Sequence, residues 1–216
     1  MERVQTFVIG DSLTLMLEDI HSRVVLESVD RPDVQVSLEG DEELLKDLLI
    51  EQISPGELLI RENSSGGASV SIDGNSITIT GSVHGSMSVI GGRVIINGRE
   101  VTDTSDGVHV TKDPVKITVS VPLGCSLDIA SCNNLYAAGT YGFCKVRADG
   151  QGQIIVHEAT SVSLRSSDQV QVEIKRVTDG SKPARLESSG QSHVWVAGNF
   201  GDVEATSSGQ SSITID

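Results

Sequence analysis

The chain has 216 residues, with 30 acidic against 16 basic side chains and a formal charge of −14. No run of Lys or Arg able to neutralise phosphates is present, which argues against nucleic acid and against an anionic membrane surface as partners. Aromatics make up 3% of the residues and glycines number 22, so small and β-branched side chains have to fill the core, as in a narrow coil stacked on itself rather than a sandwich centred on buried rings.

Residues 1–62 read as an opening β segment. Apolar and polar residues alternate over Val4–Ile9, Leu13–Leu17, Val24–Leu26, Val34–Leu38 and Leu58–Ile60, the period of half-buried strands. One interruption, about residues 41–50, sets Leu44, Leu45, Leu48 and Leu49 on a helical stripe with acids in the first turn, which predicts one short amphipathic helix covering a sheet.

Residues 63–116 read as Gly/Ser-rich strands and loops joining this segment to the C-terminal hundred residues. Asn63–Ala68 is a loop by composition, and Ser69–Thr80 alternates around a turn at Asp73-Gly-Asn75. Residues 81–92 are rich in Gly and Ser, and Asn97-Gly98 is the pair favoured in a tight hairpin. Asp103-Thr-Ser-Asp106-Gly superficially suggests calcium, but it lacks the spaced ligands and distal Glu of a calcium loop and reads as turn chemistry.

Residues 117–216 carry a repeat. Leu127–Ala137 aligns with Val146–Val156, and three further copies are read at Val162–Val172, Leu186–Val196 and Ala205–Ile215, with offsets of 19, 16, 24 and 19. Ala138-Gly-Thr-Tyr-Gly142 and Ala197-Gly-Asn-Phe-Gly201 lie 59 apart, the sum of the first three offsets. Five copies with variable loops predict a solenoid whose rungs bury their inward faces by stacking. The inward columns are Leu127, Val146, Val162, Leu186 and Ala205, then Leu135, Ile154, Val170, Val194 and Ile213, then Ala137, Val156, Val172, Val196 and Ile215. Asp128, Arg147, Ser163, Glu187 and Thr206 point outward, where Asp128 and Arg147 can pair. Cys125 and Cys144 occupy one column ahead of Thr160, Ala184 and Val203 and are expected to stack as reduced core thiols.

The stretch Ile117-Thr-Val-Ser-Val-Pro-Leu-Gly124, the Ser-Ser-Gly-Gln-Ser motifs at 188–192 and 207–211, and the Ala-Gly-x-aromatic-Gly motifs resemble the head GIN domain of auto-transporter adhesins, related to the DUF4097 β-strand repeat family. The likeness covers about the last hundred residues well and the opening strands, with Leu38-Glu-Gly-Asp-Glu-Glu-Leu-Leu45, more weakly. The resemblance implies a single-stranded right-handed parallel β-helix, a role in adhesion or at cell surfaces, and no catalytic residues to transfer.

The usual catalytic signatures are missing: no Gly-x-Ser-x-Gly elbow, no phosphate-cradling loop ending in Lys-Ser/Thr, no His-Glu-x-x-His, and no Cys-x-x-Cys or Cys/His spacing of a zinc site. No catalytic residue, metal or cofactor is expected. The outward column Tyr136, Ile155, Gln171, Trp195 and Thr214, flanked by Asn134, Gln153, Gln169, His193 and Ser212, is either a face that stacks a sugar or meets a protein, or a surface covered by a loop or by the N-terminal segment. Tyr136, Ile155, His193 and Trp195 are its candidate contact residues. The expected function is a non-catalytic binding or adhesion module for a protein or glycan. The alternatives are a self-assembling scaffold of the bactofilin kind, pairing through solenoid edges left uncapped after Asp216, and more weakly a carbohydrate-active enzyme. No membrane-spanning segment is expected. The start Met-Glu-Arg-Val-Gln and three cysteines, Cys125, Cys132 and Cys144, read as cytoplasmic, or as exported if a leader was trimmed.

Overall fold

A computed structural model describes residues 2–9, 12–40, 42–62, 69–73, 76–80, 87–90, 93–96, 99–101 and 115–216. Two compact units divide the chain: Met1–Asn63 with Val115–Asp216, and Ser64–Pro114.

The first unit is all-β apart from one helical turn. Its elements are β1 (Glu2–Val8), β2 (Thr14–Val29), β3 (Asp33–Glu39), α1 (Glu42–Leu45), β4 (Leu48–Ser54) and β5 (Glu57–Glu62). The second unit holds β6 (Ser69–Asp73), β7 (Ser76–Thr80), β8 (Met87–Ile90), β9 (Arg93–Ile96) and β10 (Arg99–Val101). The first unit resumes with β11 (Lys116–Pro122), β12 (Ser126–Ala148), β13 (Gln151–Ser166), β14 (Gln169–Val177), β15 (Ala184–Ser188), β16 (His193–Gly198), β17 (Val203–Ser207) and β18 (Ser212–Ile215).

In the second unit β6 pairs antiparallel with β7, and β9 with β8 and β10. Arg99 stands against Ile96 in the last of these pairs. The turn residues Gly74, Asn75, Asn97 and Gly98 lie outside the described residues, as do the loop at 63–68, residues 81–86 and 91–92, and the Asp103–Asp106 stretch.

The first unit is one mixed sheet of 13 strands that branches and does not close. Two ladders run through it. One joins β5 to the first half of β2, with Leu58 against Leu15, and that half of β2 to the start of β12, with Leu15 against Leu127. It continues through Val146, Leu164, Leu186 and Ala205 on β12, β13, β15 and β17. The other stacks Val24, Leu135, Ile154, Val172, Val194 and Ile213 on β2, β12, β13, β14, β16 and β18. Each step is parallel. The two halves of β12 lie against each other, Gly142 N donating to Cys125 O at 2.9 Å. On one side β11 adds to β2 in parallel, and β3 and β1 follow antiparallel. On the other, β17 and β18 are each paired along one edge.

Alternation explains the burial. Leu127, Ile129, Leu135 and Ala137 on β12 are buried, as are Ile154 and Val156 on β13 and Val194 and Val196 on β16, with Asp128, Tyr136, Ile155 and Trp195 between them less buried. A parallel strand with neighbours on both edges satisfies its backbone entirely within the sheet, so only side-chain burial distinguishes its two faces. The chain's few rings follow the same rule: Tyr141 is fully buried in a column with Ala159 and Val177, its hydroxyl donating to Ala138 O at 2.9 Å.

Two expectations change. The helix predicted over residues 41–50 stops after Leu45, and Leu48 and Leu49 belong to β4, which pairs antiparallel with β5, Ile50 against Ile60. A single turn satisfies few of its own backbone groups, and pairing along β5 satisfies them far better. The third repeat copy is shifted by two residues: Val146 pairs with Leu164 and Ile154 with Val172, so the column positions read at Val162 and Val170 belong to Leu164 and Val172. Val162 replaces Thr160 in the cysteine column, lying against Cys144. The offsets become 19, 18, 22 and 19, whose first three sum to the same 59. A slip of two keeps every residue on its own face, so neither alternation nor the distance between the two Ala-Gly motifs reveals it.

Turn chemistry does reveal it. Asp19, Ser131, Gly150, Asp168, Gly190 and Gly209 occupy one turn position of successive strands, and all have positive φ, from 51° to 93°. Asp168 is the Gly-equivalent of the third copy, so Ser166-Ser167-Asp168-Gln169 matches Ser188-Ser189-Gly190-Gln191. Asp tolerates this left-handed conformation, and its carboxylate accepts from Gly150 N at 3.2 Å. Inside the turns the motif serines bond each other, Ser188 Oγ to Ser192 Oγ at 2.7 Å and Ser166 Oγ to Ser192 Oγ at 3.0 Å. Outside, Gln151, Gln169, Gln191 and Gln210 form an amide ladder, each Nε2 donating to the next Oε1 at 3.0 to 3.3 Å.

Gly198→Ala is expected to lower stability by about 1–3 kcal/mol or more, because φ is 135° and a Cβ would stand 2.3 Å from Val177 O. Asp168→Gly should stay within about 1 kcal/mol of the parent, since the strain relieved offsets the hydrogen bond lost. Urea midpoints of the two variants check both.

Candidate functional site

The outward face of the second ladder is built by register. Ile155 lies between Tyr136 and Glu173, and Trp195 between Glu173 and Thr214. One row to the side stand Asn134, Gln153, Gln171, His193 and Ser212. The shifted third copy therefore replaces Gln171 by Glu173 in the aromatic column and Gln169 by Gln171 in the flanking row. Of the four candidate contact residues, Tyr136 and Ile155 are direct neighbours. Trp195 stands two strands beyond Ile155 across Glu173, and His193 shares β16 with Trp195.

Tyr136 is 39% exposed and Trp195 half-buried. The Tyr136 ring meets His157 edge-on at 5.4 Å between centroids, and its hydroxyl lies 2.9 Å from His157 Nε2. Lys175 Nζ approaches the same nitrogen at 3.5 Å. Trp195 Nε1 donates to Asp216 Oδ2 at 2.7 Å, and His193 Nδ1 meets Ser212 Oγ. Sequence reasoning missed His157 and Lys175, which alternate outward from Ile155 and Glu173 on the same strands. Their signal was the alternation itself, carried two residues further.

The face is amphipathic, with two rings whose polar tips are engaged, an aliphatic side chain between them, and a carboxylate and an ammonium on the same strand. Such a surface offers a stacking plane with hydrogen-bonding groups at its margin. No group of three His, Cys, Asp or Glu close enough to hold a metal ion occurs among the described residues. The perturbed titratable groups lie elsewhere. Burial pushes the thiols of Cys125, Cys132 and Cys144 up to about 12 and raises Tyr141 as well, whereas the hydrogen bond from Arg31 lowers Asp33 and those from Ser181 lower Asp179. The three cysteines are free and buried.

No family model matches the sequence, and no curated protein matches it. Among solved structures the chain is similar to a candidate adhesin from Parabacteroides distasonis ATCC 8503, with 10% identity over 100% of this chain and 78% of that one and a TM-score of 0.50. It is also aligned with a candidate lipid-binding protein from the same organism, at 15% identity over 100% and 96% with a TM-score of 0.34. A candidate adhesin from Bacteroides fragilis NCTC 9343 aligns at 11% identity over 100% and 97%, with a TM-score of 0.38. The first of these likenesses is one of fold.

Trp195 is the chain's one tryptophan, so Asp216→Ala, which frees its indole N–H, should shift its emission and raise its quenching by iodide. The stability change should stay within about 1.5 kcal/mol. The thiols generate a pH dependence: with folded values near 12 against an ordinary value of 9.0, the folded chain holds protons that the unfolded chain releases. Stability is therefore fully present below pH 9.0 and falls as pH rises from there toward 12. Native protein at about pH 8, where the folded thiols stay protonated and buried, should leave all three unmodified by a thiol reagent, as seen by mass. Unfolded protein should react at every one.

Proposed function

We propose that this chain is a non-catalytic binding module of the adhesin type, a member of the head GIN group. In this reading its two ladders are the faces of a single-stranded right-handed parallel β-helix that presents the Tyr136–Trp195 face to a protein or glycan partner. Residues 117–216 form the repeat body, and residues 1–62 supply its opening strands. The observation that carries the reading is the outward column Tyr136–Ile155–Glu173–Trp195, where two part-exposed rings stand on rigid, in-register strands. Rigid presentation keeps the entropy cost of binding low, because the rings have little left to order. Right-handedness follows from the strong preference of parallel crossovers. The adhesin-like fold neighbour is consistent with such a role. Polysaccharide cleavage would need a convergent pair of free carboxyls, and of the two acids on this face Asp216 is engaged by the Trp195 indole N–H while Glu173 stands with an ammonium two residues on.

Screening the full chain against arrayed glycans and cell-surface proteins tests this. Trp195→Ala and Tyr136→Ala should each reduce retention of the bound partner at least about tenfold, as for an aromatic anchor at an interface centre. Retention unchanged in both variants would discard the face. Light scattering across a concentration series separates the self-assembling alternative: growth of mass with concentration, lost on Trp195→Ala, would make a second copy of the chain the partner.

A further inference from the structure

The first ladder carries a feature dispersed in the sequence and assembled only by pairing. Lys145 and Arg147 on β12, Arg165 on β13 and Arg185 on β15 point outward within three adjacent strands, Arg147 directly against Arg165, and Ser163 between Lys145 and Arg185. Four of the chain's 16 basic residues thus share one patch on a protein of net charge −14. Their carboxylate partners are fewer. Asp128 takes both Lys145 Nζ at 2.8 Å and Arg147 Nη2 at 3.2 Å; Glu187 takes Arg185 Nη2 at 2.8 Å and leaves Arg165 Nε a longer contact of 3.8 Å. Glu204 adds only a 3.9 Å contact to Arg185. Arg165 is therefore the least neutralised cation of the patch, 75% exposed at its side chain. Like charges set directly opposite on neighbouring strands oppose the pairing unless something between them is anionic.

A shallow groove adjoins the cations. Phe143, two residues before Lys145 and so on the same side of β12, is 43% exposed, and with Pro183 and Val203 it gives the groove apolar walls. Ser163 and Arg185 also line it, as do Asp202 and Glu204. Beside the ring, in register with Phe143, Ser161 is 4% exposed and its buried Oγ has no hydrogen-bond partner, an arrangement that folded proteins seldom leave without a use.

We propose that this patch binds an acidic saccharide, one of its sugar rings lying on Phe143 and its carboxylate or sulfate reaching along the strand, about 13 Å away, to bridge Arg147 and Arg165. Planar guanidinium groups match such oxyanions in geometry, and the apolar ring accepts the hydrogen-rich face of a sugar. The two acids, on the β17 side of the groove, set the direction, turning the anionic end toward the arginines of β12 and β13. A densely charged polyanion is disfavoured, because Asp128, Glu187, Asp202 and Glu204 stand among or beside the cations and, within the screening length of about 8 Å, oppose each added negative charge. The ligand therefore carries sparse charge on an otherwise neutral frame. This site is independent of the Tyr136–Trp195 face, which stands on the other ladder.

Calorimetric titration of the full chain with 3′-sialyllactose and with 3′-sulfolactose, lactose serving as the neutral control, tests the proposal and separates carboxylate from sulfate. At least one anionic sugar should bind about tenfold or more tightly than lactose, the size of one charged hydrogen bond. Arg165→Gln and Arg147→Gln should each remove that advantage, Phe143→Ala should weaken both anionic and neutral binding, and Trp195→Ala should change neither. Added salt should weaken the anionic sugars alone. Equal binding of lactose, no binding of either anionic sugar, an unaltered Arg165→Gln variant, loss in Trp195→Ala, or tighter binding of a short oligoglutamate peptide than of the sugars would each overturn it. The arginines are exposed, so the variants should keep the parent's melting temperature, and circular dichroism establishes that they are folded.

Discussion

Parallel pairing in register is the constraint on which the rest of this protein depends. A parallel strand sends its hydrogen bonds to both neighbours at even spacing, so every strand in the stack must be displaced along the chain by whole repeats while its side chains stay in step. Once Leu135, Ile154, Val172 and Val194 are in step, the inward residues bury one another with no large ring needed. That is why a chain with 3% aromatics can still bury a continuous core. Each strand buries its inward face only through its neighbours, so stability is shared along the stack rather than held at one centre.

The turns enforce the step. A left-handed residue at the same point of each repeat lets the backbone bend without pulling strands out of register. Serine hydroxyls inside the turn and glutamine amides outside then tie each turn to the next. Close approach does the same at the other bend, where a side chain on Gly139 or Gly198 would run into Ser28 or the Val177 backbone. The Ala-Gly motifs are thus steric requirements of stacking, and the Ser-Ser-Gly-Gln-Ser motifs are hydrogen-bonding ones.

With both inward columns committed to burial, chemistry is left to the outward rows, where neighbours in space come from different repeats. On one ladder this brings Tyr136, His157 and Lys175 into contact and sets Trp195 beyond Glu173. On the other it gathers four cations from three strands around three carboxylates. Both surfaces stand on strands paired along both edges, and both are shallow. Such surfaces suit recognition of extended partners.

The residues by themselves determined the strand class, the existence of a repeat, the inward identity of Leu127, Leu135, Val146, Ile154, Leu186 and Val194, and the Asp128–Arg147 pair, because a period of two and a recurring motif are written in local spacing. Tertiary structure decided three things that local spacing cannot. The third copy's register lay outside the reach of alternation, since a two-residue slip preserves every inward and outward assignment, and only the left-handed geometry at Asp168 distinguishes Leu164 from Val162. The fate of Leu48 and Leu49 depended on whether β5 offered an edge, for the same leucines serve a helix stripe or a strand, and a partner's hydrogen bonds outweigh a weak helical preference. The two outward surfaces are sums over strands 18 to 22 residues apart, so one wrong offset exchanges Glu173 for Gln171 beside Trp195 and hides Arg165 from Arg147 altogether.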